Sequence, residues 1–99
     1  MKYSKETERV KLNLERQLTE LVKKRIVDLG LVDSGVMLKE SRVTLDYTTN
    51  GIDINFISTD YFKYVNDKYD IINYVIRDKN IDDQLVDLFG RMFIDYMLD

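Results

Sequence analysis

Between Lys5 and Leu29 the apolar side chains fall at Val10, Leu14, Leu18, Leu21, Val22, Ile26 and Leu29. Steps of three and four put them on one face of an α-helix. A helix with a single apolar stripe must bury that stripe against another element, so this segment commits the chain to a packed domain containing a long amphipathic helix. Gly30 directly follows the last apolar position, where a left-handed terminator is favoured because glycine has no Cβ to clash. The remaining faces carry Arg9, Lys11, Glu15, Arg16, Glu20, Lys23, Lys24 and Arg25 in mixed sign, the pattern of a solvated surface.

Further along, Asp33-Ser34-Gly35 is a turn or helix-start signal, and Val36 to Glu40 suits one or two helical turns. Val43, Leu45 and Tyr47 then alternate with polar residues, as do Ile52, Ile54 and Phe56 after Thr49-Asn50-Gly51. Two period-two runs around Asn-Gly predict a β-hairpin with one buried and one wet face. Ser58-Thr59-Asp60 reads as a cap before an aromatic-rich helix or turn, Tyr61 to Asn66. Tyr69 to Arg77 is dense in β-branched and aromatic residues and is predicted to be a third strand.

Ile81, Leu85, Leu88, Phe89, Met92, Phe93, Tyr96 and Met97 mark a closing helix with Asn80 as its cap. Asp82 and Asp83 stand near its positive end, and Gly90 interrupts it. The expected fold is α+β: one domain over residues 1–99, with a long N-terminal helix, an antiparallel β-hairpin plus a third strand, and a C-terminal helix packed on the sheet.

The residue types narrow the chemistry. The 99 residues include no histidine and no cysteine, so the usual proton-transfer side chain, the commonest metal ligand, a disulfide framework and a thiol nucleophile are all missing. Asp78, Asn80 and Asp82 are spaced like the first ligands of a calcium loop. The sixth position is Asp83 instead of glycine and the twelfth is Phe89 instead of glutamate, so a helix-capping acidic cluster is the better reading. The four glycines are isolated, and none belongs to a phosphate-binding loop. Tyr61, Phe62 and Tyr64 lack the basic neighbours that base stacking requires and read as core or interface aromatics. Met1 to Arg16 has no apolar stretch of the signal-peptide kind, and no run of about 18 apolar residues is present to span a membrane. The expectation is a non-enzymatic protein without cofactor or metal that neither enters a membrane nor recognises a nucleic-acid sequence.

Charge is unevenly distributed. Residues 1–43 hold ten Lys/Arg against seven Asp/Glu, a balance of +3, and residues 44–99 hold five against eleven, a balance of -6. Opposed halves of this kind favour docking of the basic part of one subunit on the acidic part of another. Lys23, Lys24 and Arg25 are the candidate basic contacts, since no more than one of three consecutive helical residues lies fully on the buried stripe.

The run Asp33-Ser34-Gly35-Val36-Met37-Leu38-Lys39-Glu40-Ser41-Arg42-Val43 resembles the D-[ST]-G-x-L-x-x-S-x-x-V stretch of tail-completion and head-tail joining proteins of tailed bacteriophages. Asp60-Tyr61-Phe62-Lys63-Tyr64-Val65-Asn66 is similar to that family's Y-x-x-Y-V-E segment. The chain departs from the pattern in having six positions from Gly35 to Ser41 where the family shows five, and Asn66 in place of glutamate. It also lacks the Gly-Thr and Pro-Phe steps. The resemblance implies a virion subunit whose copies form a ring in the neck or tail. Its implied partners are portal-side adaptor, tail-tube or terminator proteins, met first in the host cytoplasm and then in the virion. It adds Ser34, Gly35, Tyr61, Tyr64 and Asn66 to the expected interface. A small acidic regulatory or inhibitory module, such as an anti-defence protein, is the alternative that composition allows.

Overall fold

Ser4 opens the first helix, α1 (Lys5–Asp28), by accepting the Thr7 N–H on its hydroxyl at 3.1 Å. The computed structural model describes residues 3–31, 35–49 and 51–98. At the other end of α1, Gly30 takes φ 73°, its N–H donates to the Val27 carbonyl at 2.9 Å, and the Leu31 N–H donates to that of Ile26 at 3.1 Å. This pair of bonds is the glycine-terminated helix end that the sequence leads one to expect. Leu14, Leu18, Val22 and Ile26 are buried along one side.

A short helix, α2 (Gly35–Glu40), buries Met37 and leads into strand β1 (Arg42–Thr48). Ser41, at the junction, is buried. Its hydroxyl lies 2.6 Å from the Met37 carbonyl, to which it donates, and 2.7 Å from the Ser58 hydroxyl, tying the start of the hairpin to its end. Strand β2 (Gly51–Ile57) pairs antiparallel with β1, with Val43 opposite Phe56, Leu45 opposite Ile54 and Tyr47 opposite Ile52. These pairs form the apolar face that the alternation predicts. The turn differs in one respect: Gly51 already pairs with Thr48, so the loop positions are 49 and 50 and Gly51 is the first residue of β2 without a positive φ. Residues 50 and 34 lie outside the described residues.

No third strand follows among the described residues. The sheet has two strands, and the segment predicted to extend it folds as the end of α3 (Tyr61–Tyr69) and as α4 (Ile71–Ile76). Asp70 divides the two helices in a left-handed conformation, φ 53°. Beyond it, Ile71 and Val75, four residues apart, are both buried, and α4 packs on α1. Burial at helical spacing outweighs the strand preference of the β-branched side chains.

The last helix, α5 (Lys79–Leu98), is capped by Asp78 and not by Asn80. The Asp78 carboxylate accepts the N–H groups of Asn80 at 2.9 Å and Ile81 at 3.2 Å. Instead of lying on the sheet, α5 packs along α1 and α4. The two long helices run antiparallel, since the Gln84 amide donates to Gln17 at 2.8 Å while Thr7 meets Asp95. Ile81, Leu88 and Met92 complete the core.

Candidate functional site

The edges of the hairpin differ. On β1, the Val43 N–H donates to the Thr19 hydroxyl at 2.9 Å and the Leu45 N–H to the Glu15 carboxylate at 2.6 Å, so α1 closes this edge with side-chain acceptors. The same bonds show that residues 43, 45 and 47 turn their backbone groups away from β2. In an antiparallel ladder their opposites, Ile52, Ile54 and Phe56, therefore direct theirs to the far edge of β2.

Two further surfaces lie one at each end of the α1–α5 pair. The first lies where α1 ends beside α2. It is a groove of about 490 Å³ with Val27 and Leu38 on its floor, Lys23, Lys24 and Lys39 at its rim, and Gly35 at the start of α2. Three predicted interface residues, Lys23, Lys24 and Gly35, thus come together. Lys24 also pairs with Asp28 at 2.9 Å, and the hydrogen bond to that carboxylate, followed by its charge, raises the lysine pKa. Lys23 and Lys39 have no ion-pair partner among the described residues.

Arg25 points elsewhere and lays its guanidinium 3.8 Å from the centre of the Tyr74 ring, a contact within the chain. Asn66 is likewise occupied: its side-chain oxygen accepts the Ile72 N–H at 2.9 Å and so holds the start of α4. Tyr61 and Tyr64 stand exposed on α3, ring centres 6.5 Å apart, on the side away from buried Phe62 and Val65. They form a separate patch, and neither lines the lysine groove.

The second surface was hidden in the sequence reading, which took Phe89, Phe93, Tyr96 and Met97 together with Ile81, Leu85, Leu88 and Met92 as one amphipathic face. Ile81, Leu88 and Met92 are buried, but Val86, Phe89, Phe93, Tyr96 and Met97 are 66, 49, 57, 64 and 69% exposed. The available signal was angular: apolar residues spread over about half the helix circumference exceed the ~100° stripe that one buried face needs. Beside this face a cleft of about 360 Å³ opens between the hairpin turn and α5, with Tyr3, Thr49, Phe89, Phe93 and Tyr96 among its walls. Tyr3 packs against Tyr47 with the rings tilted by 48° and their centres 4.2 Å apart, and burial pushes the Tyr47 hydroxyl to a raised pKa, with Glu8 adding to the effect.

Among the described residues no three acidic, histidine or cysteine side chains form a group able to hold a metal ion. No helix among them is long and apolar enough to cross a membrane. Comparison with protein-family models, with curated proteins and with solved structures finds no match.

Proposed function

We propose that this chain is a non-enzymatic structural subunit of a tailed-phage virion. Copies of it form a ring in the neck or tail and contact portal-side adaptor, tail-tube or terminator proteins, in the host cytoplasm and then in the particle. The observation that carries this reading is the pair of unlike surfaces at opposite ends of one rigid helix pair, lysines at one end and uncovered apolar rings at the other. From Thr7, beside the end of α5, to Lys24 is about 25 Å along α1. A subunit with two different ends meets two different neighbours, and repeated head-to-tail contact closes into a ring when the rotation per copy permits it.

The residues that carry the family resemblance are consistent with this reading at the level of fold. Ser41 ties the two ends of the hairpin, Val43 and Val65 are core, and Asn66 holds the start of α4. These positions shape the scaffold, while Gly35, Lys39, Tyr61 and Tyr64 of the same two runs are at the surface.

The test is mass measurement in solution, on the chain alone and with neck proteins. A discrete ring, or assembly only in the presence of a neck partner, supports the proposal. A subunit that ignores neck proteins and binds one host protein stoichiometrically supports the regulatory module instead. Reversing Lys23 and Lys24 to glutamate is expected to weaken assembly while the isolated domain stays folded, and added salt acts in the same direction on the parent. Assembly at low salt as strong as the parent's would remove the lysine rim from the interface.

A further inference from the structure

Glycine is among the poorest residues in a helix interior, yet Gly90 sits mid-way along α5, exposed, in helical conformation. A Cβ built there meets nothing within 4 Å, so packing inside the chain does not require a glycine at this position. At 100° per residue it lies on the same face as Val86, Phe93, Ile94 and Met97, with Phe89 at the border. The outward side of α5 thus combines projecting rings with a notch where the backbone itself is bare.

We infer that in the free protein this face is covered by a second copy of the chain, the two α5 helices crossing antiparallel at Gly90. Three features select this occupant. A two-fold contact requires each surface to complement itself, and here the bump and the notch stand three residues apart on one face. A two-fold axis at Gly90 brings the backbones close and gathers Phe89 and Phe93 of both copies on one side of the crossing.

The second feature is size. Exposed aromatic and other large side chains present roughly 150–250 Å² when fully uncovered. With Val86, Phe89, Phe93, Ile94 and Met97 exposed by 66, 49, 57, 57 and 69%, the face offers on the order of 600 Å², about three quarters of the ~800 Å² per partner of a standard interface.

The third is charge. Asp87 lies on the face, on the opposite side of Gly90 from Phe93, and is neutralised within the chain by Arg91 at 3.0 Å, while Asp82 and Asp83, without an ion-pair partner among the described residues, stand one turn before it. A parallel pair would stack each of these carboxylates on its own counterpart. The antiparallel pair moves the two acidic turns to opposite ends of the contact, where solvent reaches them.

This inference does not depend on a virion role, and it is read on the purified chain alone. Sedimentation across a concentration series is expected to show a monomer–dimer equilibrium. Gly90→Leu and Phe93→Asp are each expected to weaken it at least tenfold, with helix content and a cooperative melt retained, because both positions are exposed in the single chain. The chain has no cysteine, so orientation can be read by cross-linking. Gly90→Cys is expected to oxidise to a linked dimer. Val86→Cys alone is not, whereas a mixture of Val86→Cys and Ile94→Cys is. A monomer at all concentrations overturns the inference, as does a dimer indifferent to both substitutions. Self-linking of Val86→Cys, or a weakened assembly in which Gly90→Cys fails to link, overturns the antiparallel crossing. Because this face is also one of the two ends that the proposed ring would use, the dimer must open before a ring closes, and assembly with neck proteins is measured separately on the full mixture.

Discussion

The Thr7 hydroxyl donates to Asp95 at 2.6 Å, joining the first turn of α1 to the closing turns of α5. The same carboxylate oxygen accepts the Ser4 N–H at 3.0 Å, so α5 supplies an anion to the positive end of α1. Thr7 is buried, and Thr7→Val should keep its shape and remove the donor. A loss of about 1–2 kcal/mol is expected, read from chemical denaturation.

The contact also predicts a pH dependence. The Thr7 hydroxyl, then the Ser4 N–H, hold the Asp95 pKa below its usual value. A carboxylate lowered in the folded state binds its proton first in the unfolded chain, at about pH 3.9. Its stabilising contribution is therefore complete above that pH and is lost as pH falls toward the lower folded value. Asp95→Asn should lower the melting temperature at pH 7 and flatten its decline below about pH 4. An acid limb identical to the parent's would place the dependence on other carboxylates.

Leu18 and Phe89 separate the two sides of the helices. Leu18 is fully buried, so Leu18→Ala should cost about 2–5 kcal/mol and Leu18→Asp should unfold the domain. Phe89 faces outward, so Phe89→Asp should leave the isolated fold within about 1 kcal/mol of the parent. Thermal melts of both variants check the assignment.

Asp78 gives the prediction for metal. One oxygen of its carboxylate is engaged by the Asn80 and Ile81 amides as a helix cap. Millimolar calcium should leave the melting temperature unchanged, because a ligand specific for the folded state would raise it by mass action. Asp78→Ala should cost about 1 kcal/mol through the lost cap. A saturable calcium shift would show that these carboxylates do bind the ion.

How legible the chain was depended on whether a residue's role is local. The α1 stripe, its Gly30 terminator and the hairpin alternation are local rules, and each appears where the sequence places it. Tyr69 to Arg77 failed because Ile71, Ile72, Tyr74, Val75 and Ile76 satisfy a strand and a helix alike; the left-handed Asp70 and packing on α1 decide for the helix. The interface expectations fared similarly. Lys23, Lys24 and Gly35 converge because α1 and α2 fold back on each other. Arg25 and Asn66 are drawn into the chain by Tyr74 and Ile72, partners distant enough in sequence that no spacing announces them.

Glu15 and Thr19 measure the strand beside them. Four residues of helix advance about 6 Å, and two residues of strand about 6.7 Å. One carboxylate and one hydroxyl, a single turn apart, therefore meet alternate amides of β1. A two-stranded ribbon ordinarily depends on its turn to fix which residues face each other, and a slip by one would turn Val43 and Leu45 outward. Here the long helix acts as a vernier along the ribbon's flank. Placement of β1 on the core is written into α1, and β2 takes its position from the ladder it forms with β1.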